Sequence, residues 1–78
     1  MSEEWLRCVV QKGMFSDEQL VLIVTATGES VAFFVPKDQI RENRVRVRSF
    51  SENSRRWAVV PNENQSIVAV EDSELVPA

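Results

Sequence analysis

The sequence predicts a small all-β domain. Short apolar stretches alternate with polar residues at period two, which is the spacing of strands rather than of helices. Turn signals recur roughly every 8–12 residues, as in small barrels and sandwiches. The 78 residues are expected to form one domain, 1–78, and the 44% that are hydrophobic suffice for a single core.

The first predicted strand runs from Trp5 to Lys12. Side chains on a strand alternate between its two faces, so one face can be apolar while the other is mixed. The cleaner apolar face is expected to point inward and consists of Leu6, Cys8 and Val10.

An apolar connection follows this strand. Ser16 and Gln19 have the spacing of a capping box, which favours a single helical turn. Met14 and Phe15, just before it, either fold back over one end of the domain or offer a contact to a partner. They are therefore candidate binding residues.

Residues 20–35 are expected to form a hairpin of two strands, 20–27 and 30–35, that turns at Gly28. Both strands are apolar on both faces. Such strands normally lie in the centre of a sheet or have their second face covered. The hairpin therefore predicts a protein partner, and its simplest form is a homodimer through residues 20–35.

Pro36 is expected to end this sheet, because proline fixes φ and has no backbone N–H to donate. Residues 37–40 suit one helical turn anchored by Ile40. A polar loop over 61–65, a last short strand over 66–70 and a closing turn over 71–75 complete the chain after the next hairpin.

That next hairpin, residues 43–61, contains the most distinctive charge pattern of the chain. Three arginines alternate with Val45 and Val47, so the arginines share one face and the valines the other. Residues 37–56 are basic whereas the rest of the chain is acidic, and the net charge is −3. The candidate binding residues here are Arg44, Arg46, Arg48, Arg55 and Arg56.

This arginine stripe suits a row of phosphates on a nucleic acid or a row of carboxylates on a protein. The simpler explanation is a solvated strand whose charges prevent aggregation, or which pairs with the acidic ends of the same chain. The negative net charge weighs against nucleic acid.

The turn of this hairpin decides where Trp57 lies. A three-residue loop, 52–54, places Trp57 and Val59 in the core with Val45 and sets Arg56 beside the arginine stripe. A two-residue loop places Trp57 outside, across from Arg48, and brings Phe50 near Arg55. That would form an aromatic and arginine platform of the kind that stacks bases. We favour the three-residue loop, because the turn lacks the glycine that two-residue turns prefer.

These elements amount to five or six short strands with one or two single helical turns. Their order is that of a small SH3-like barrel; an OB-like barrel and a small β-sandwich are the alternatives. The comparison concerns architecture alone, since no signature motif of a family is present.

Catalytic chemistry is poorly represented. The chain has no histidine and no tyrosine, which removes the commonest general base and metal ligand, so we expect no enzyme, no metal site and no cofactor. Its lone cysteine, Cys8, cannot form an internal disulfide and is expected to be a buried thiol. With no stretch long enough to span a membrane and no signal-like N-terminus, we expect a cytoplasmic protein.

The sequence therefore favours a small non-enzymatic binding module, a protein-interaction or accessory subunit, that contacts a protein partner and no membrane. RNA or single-stranded DNA binding through the hairpin 44–57 is the alternative.

Overall fold

The computed structural model describes residues 1–12 and 17–78. The described residues form nine strands: β1 (Ser2–Arg7), β2 (Val9–Lys12), β3 (Glu18–Val24), β4 (Ser30–Pro36), β5 (Ile40–Arg41), β6 (Arg44–Glu52), β7 (Arg55–Val59), β8 (Ile67–Val70) and β9 (Leu75–Pro77). Two single 3₁₀ turns are present: Lys37–Gln39 lies where the sequence predicts a helical turn, and Asp72–Glu74 lies in the predicted closing turn. The helical turn predicted from Ser16 to Gln19 is wrong at its described end, because Glu18 and Gln19 belong to β3. The predicted all-β class is confirmed.

The strands form two antiparallel sheets. The large sheet has the order β8-β7-β6-β1-β9, with β5 also paired to β6, and the small sheet has the order β2-β3-β4. Among the described strands, the ladder hydrogen bonds do not close these sheets into a barrel. The chain crosses from one sheet to the other between β1 and β2.

That crossing occurs at Cys8, where the predicted strand from Trp5 to Lys12 divides in two. The Cys8 N–H leaves the ladder and donates to the Asn43 carbonyl at 2.9 Å. Strands β5 and β9 have only two and three residues. Strands this short do not show a recognisable alternation of apolar and polar residues in the sequence. The described residues therefore contain more strands than the five or six that the sequence predicts.

The core lies between the two sheets. Leu6 and Cys8 are buried on the inward face of the first strand pair, as predicted, and Val10 is half-buried. Val45 and Val47 are buried on the inner side of β6, also as predicted. The remaining core residues are Val21, Ile23, Phe33, Val35, Ala58, Val60 and Val70.

The two hairpins turn differently. In the β3–β4 hairpin the Gly28 N–H donates to the Thr25 carbonyl at 2.9 Å, and Gly28 has φ +87°. In the β6–β7 hairpin Glu52 pairs with Arg55, which leaves a two-residue turn. The predicted three-residue loop is therefore wrong.

The two turn residues, Asn53 and Ser54, adopt φ 54° and φ 61° without any glycine. Two-residue turns with positive φ at both positions match the twist of the flanking strands, and asparagine tolerates that conformation. Strand twist prevails here over the conformational preference of serine.

Candidate binding surfaces

The outer side of the small sheet is an exposed apolar surface, which we call the small-sheet face. Strand pairing aligns Val9 with Leu22 and Ala32, and Leu20 with Phe34, so these side chains lie on one side. Val9 is 60% exposed, Val24 67% and Phe34 48%. The face consists of Val9, Leu20, Leu22, Val24, Ala32 and Phe34.

The opposite side of the same strands is buried. Val21, Ile23 and Phe33 alternate with the residues of the small-sheet face and are less than a tenth exposed. The predicted two-sided apolar hairpin is therefore correct, and the fold covers one side only. If the monomer covered both sides of this hairpin, Ile23 and Phe34 would both be buried. Ile23 is buried, whereas Phe34 is 48% exposed.

Two predicted contact residues, Met14 and Phe15, lie outside the described residues. They belong to the connection between β2 and β3.

The outer side of the large sheet carries the predicted arginine stripe, and we call it the arginine face. Arg44, Arg46 and Arg48 share this side of β6 while Val45 and Val47 point into the core. Arg55 lies on the same side, since it pairs with Glu52, four residues beyond Arg48.

Acceptors of this chain already engage the stripe. Arg44 lies 3.3 Å from a Glu42 carboxylate oxygen, and Arg46 lies 2.7 Å from one of Glu3. Arg48 donates to the Gln65 side-chain carbonyl at 3.1 Å. Two of the three stripe charges are thus partly neutralised by carboxylates. Only Glu3 belongs to an acidic end of the chain, as the simpler explanation of the stripe expected, since Glu42 lies within the basic segment 37–56.

Three aromatic residues share the arginine face. Trp5 pairs with Arg46 across β1 and β6, and Phe50 pairs with Trp57 across β6 and β7. All three rings are half-buried. The Arg41 guanidinium lies 5.1 Å from the centre of the Trp5 ring, a cation–π distance.

Trp57 is not in the core, contrary to the favoured prediction. With the two-residue turn it lies on the outer side, where its indole N–H donates to the Glu52 carbonyl at 3.2 Å. Its position matches the alternative that places Trp57 outside, although it faces Phe50 rather than Arg48. Val59 is buried, yet it also lies on the outer side, opposite Arg48.

An open groove adjoins the arginine face beside β6, between the ends of β5 and β7. Its volume is about 390 Å³. Arg46 and Arg48 line it together with the polar side chains of Gln39, Asn62 and Gln65. Such amide side chains can both donate and accept hydrogen bonds.

Arg56 does not belong to the arginine face, contrary to prediction. It points to the inner side of the large sheet, where it forms an ion pair with Glu4 and donates to Ser49 at 3.1 Å. Ser49 also donates to Glu4, and Asp72 lies 4.0 Å from the Arg56 Nε. The two-residue turn reverses the side on which Arg56 emerges.

Glu4 is a buried carboxylate that was not predicted from the sequence. The hydrogen bond from Ser49 lowers the pKa of Glu4 below its ordinary 4.5; burial opposes this, and the hydrogen bond and charge of Arg56 reinforce it. Glu4 therefore stays ionised at neutral pH. Extending the Leu6 and Cys8 alternation back by two residues would have placed Glu4 on the inward face.

Cys8 is a buried thiol, as predicted. Burial raises its pKa to about 11, so the thiol stays protonated at neutral pH. Within 1–12 and 17–78, His, Cys, Asp and Glu side chains form no group that could hold a metal ion. Over the same residues, no helix combines the length and apolarity required to cross a bilayer.

Comparison of this chain with protein-family models, with curated proteins and with solved structures found no match. The candidate surfaces are therefore argued from the geometry of this chain alone.

Proposed function

We propose that this chain is a non-enzymatic protein-interaction module whose contact surface is the small-sheet face. One observation carries the proposal: three strands in register present an exposed apolar surface, with Val9, Val24 and Phe34 each roughly half or more exposed. Contiguous exposed apolar surface of this kind marks interaction sites on small proteins.

The six residues of this face carry no charge, so its partner is expected to offer a flat, apolar protein surface. Covering apolar side chains contributes about 25 cal/mol for each Å² removed from water. The binding is expected to be insensitive to salt and to show a negative heat-capacity change. The free energy of binding is also expected to depend on the fit at Phe34, the largest side chain of the face.

Photo-crosslinking in cells tests this proposal and captures the partner in the same step. A photo-crosslinking amino acid replaces Phe34 in one variant and Ile67 in the other, where Ile67 is an exposed apolar residue of the large sheet. We expect a discrete crosslinked protein from position 34 and none from position 67. The same adducts from both positions, or no adduct from position 34, would refute the proposal.

A charge placed on the same face provides the quantitative test. Val24 is exposed, so Val24→Lys leaves the fold intact and is expected to weaken binding of the captured protein by at least about tenfold. Ile67→Lys is the matched control. Equal affinity for wild type and Val24→Lys would show that the small-sheet face is not the contact.

Single-stranded nucleic acid binding on the arginine face is the second candidate function. The observation that favours it is the placement of Trp5, Phe50 and Trp57 on the same side as the arginine stripe. Aromatic rings stack on bases at about 1–3 kcal/mol each, while arginines contact phosphates. In the adjoining groove the side-chain amides of Gln39 and Gln65 offer N–H donors to a base edge, whereas both polar atoms of Asn62 already bond to Ser66.

This candidate ranks second because of charge. A phosphate must compete with Glu3 for Arg46 and with Glu42 for Arg44. The net charge of −3 also repels a polyanion at long range. Any affinity is therefore expected to be weak and to fall steeply with salt.

Both tryptophans lie on the arginine face, so their fluorescence reports binding directly. A mixed-sequence oligonucleotide at low salt is expected to quench them, and Arg48→Gln to weaken that quenching about threefold or more. The control removes one positive charge away from the arginine face. Lys12→Gln, on β2, does so, whereas Arg56→Gln would also break the buried ion pair with Glu4. Unchanged fluorescence with RNA and with single-stranded DNA would eliminate this function.

The finer architecture and the compartment are also part of the proposal. An SH3-like barrel that is open between β4 and β8 is supported by the continuous path β4-β3-β2 and β1-β6-β7-β8, in which Cys8 alone separates β2 from β1. The bond from the Ala26 N–H to the Ala69 carbonyl, 2.8 Å, links the two ends of this path. The protonated, buried thiol of Cys8 suits the reducing cytoplasm.

A further inference from the structure

Strand β4 forms an open edge of the small sheet. In the part of the chain that the structure describes, its ladder partner is β3 alone. An edge strand presents unpaired backbone N–H and C=O groups, and proteins usually protect such edges with charges, prolines or short length. β4 has seven residues, none of them charged, and its one proline stands at its last position.

The other edges of the two sheets are protected. β2 is short and ends in Lys12, and β9 is shorter still and ends in Pro77. On β8 the Ala69 carbonyl already accepts the Ala26 N–H. β4 is thus the longest unprotected edge among the described strands.

The hydrogen bonds of the hairpin establish which backbone groups face outward. The Thr25 N–H donates to the Glu29 carbonyl at 2.8 Å, and the Lys37 N–H donates to the Asp17 carbonyl at 3.2 Å. Because hydrogen-bonded pairs alternate along an antiparallel ladder, both bonds assign the inward groups to the odd-numbered residues of β4. The outward groups belong to Ser30, Ala32, Phe34 and Pro36.

Resting on the proposed function, we propose that two copies of this chain join by antiparallel pairing of their β4 edges, which unites their two small-sheet faces into one larger contact surface. A twofold axis at Ala32 places Ser30 of one copy opposite Phe34 of the other. Each of these pairs, and Ala32 with itself, exchanges two N–H···O bonds. The result is a six-stranded sheet, three strands from each copy.

Pro36 disfavours the neighbouring register. Shifting the copies so that Ala32 faces Phe34 brings Ser30 opposite Pro36, which has no N–H, and leaves the Ser30 carbonyl without its donor. With the axis at Ala32, all three outward residues that take part have an N–H. Since β4 is uncharged, no like charges meet, and the small side chains of Ala32 sit at the axis.

The same pairing extends the small-sheet face. Side chains of Phe34 from one copy and Ser30 from the other become neighbours on the exposed side, while Val31 and Phe33 meet across the new ladder on the inner side. Val31, half-buried in one copy, is further covered.

Ala32→Pro tests the pairing. The Ala32 N–H points away from β3, so its removal leaves the β3–β4 ladder intact while eliminating a bond at the axis. By sedimentation velocity, we expect wild type to dimerise and Ala32→Pro to raise the dimer dissociation constant at least about tenfold. Ile67→Lys, at an exposed position of the large sheet away from this edge, should leave the dissociation constant within about threefold.

Ala32→Cys provides a second test that does not depend on tolerance of proline. In the proposed register the two Ala32 Cα atoms lie roughly 5.5 Å apart, within the span of a disulfide. Under diamide we expect a covalent dimer from Ala32→Cys and none from wild type, whose Cys8 is buried, or from Val24→Cys.

A wild-type monomer at millimolar concentration, or a dimer that Ala32→Pro leaves unchanged and Ala32→Cys does not crosslink, would overturn this inference. If position 34 then crosslinks to a different protein, the proposed function stands and only the self-pairing is wrong. If position 34 crosslinks to nothing, both fail.

Discussion

The β3–β4 hairpin and the β6–β7 hairpin bury one side of their strands in the same core and present opposite chemistry on the other. The first exposes Val24 and Phe34 on a mostly apolar surface with Glu18 at one end, whereas the second exposes arginines and half-buried rings. On the inner side, the β3–β4 hairpin buries apolar side chains and the hydroxyl of Thr25 but no charge. The β6–β7 hairpin instead contributes Arg56, which pairs with Glu4 there.

The difference indicates which surface requires a partner. Arg44 and Arg46 each pair with a carboxylate of their own chain and keep about two fifths of their side chains exposed, so leaving their charges at the surface carries little free-energy penalty. The side chains of the small-sheet face have no such compensation in water. The arginine face, whose charge pattern stands out in the sequence, therefore needs a partner less than the small-sheet face does.

Neighbouring phenylalanines provide the largest expected contrast. Phe33 is 6% exposed and Phe34 48%, on opposite sides of β4. Phe33→Ala is expected to lower the free energy of unfolding by about 3–5 kcal/mol because it leaves a cavity, and Phe34→Ala by less than about 1 kcal/mol. Urea denaturation measures both; Phe33→Leu serves if Phe33→Ala does not fold. Equal losses would show that the β4 sides are misassigned.

Neighbouring glutamates provide the second contrast, in the large sheet. Glu4→Ala removes the buried partner of Arg56 and Ser49 and is expected to destabilise the fold by about 2–3 kcal/mol, because the partly buried Arg56 keeps only Asp72, at 4.0 Å, as an acidic partner. Glu3→Ala breaks the exposed pair with Arg46 and should lower stability by less than about 1 kcal/mol. Thermal unfolding of the two variants side by side checks the order, and a larger loss from Glu3→Ala would contradict it.

Acid should affect the two hairpins unequally. The folded-state pKa of Glu4 is lowered, so its contribution is complete above its ordinary pKa of 4.5 and is lost as the pH falls through the folded pKa. The stability difference between wild type and Glu4→Gln is therefore expected to shrink as the pH drops below 4.5. Val21→Ala, in the small-sheet core, should lose the same stability at every pH. A Glu4→Gln difference that is constant with pH would exclude this linkage.

The turns provide the smallest contrast. Ser54→Gly relieves a non-glycine residue at φ 61° and is expected to raise stability by about 0.5–1 kcal/mol. Gly28→Ala introduces that strain at φ +87°, with open space around the new methyl, and should cost about 1 kcal/mol. Differential scanning calorimetry measures the change in stability of both variants. A destabilised Ser54→Gly would mean that the serine side chain makes contacts that compensate for its strain.

Local periodicity was sufficient to predict several features of the fold from the sequence. Alternation located the two hairpins, the burial of Val45 and Val47, the inward side of Leu6 and Cys8, and the shared face of Arg44, Arg46 and Arg48. These predictions hold because a strand projects alternate residues to opposite sides wherever it lies.

Features that depend on pairing between distant strands became visible only in the folded structure. A one-residue change of the turn at Asn53 and Ser54 moves every following side chain to the other side, which brought Trp57 to the surface and Arg56 to Glu4. Where both sides of a strand are apolar, as in β3 and β4, period alone does not select the buried one. That choice follows from packing the two sheets together, because only one side of the small sheet can face the core.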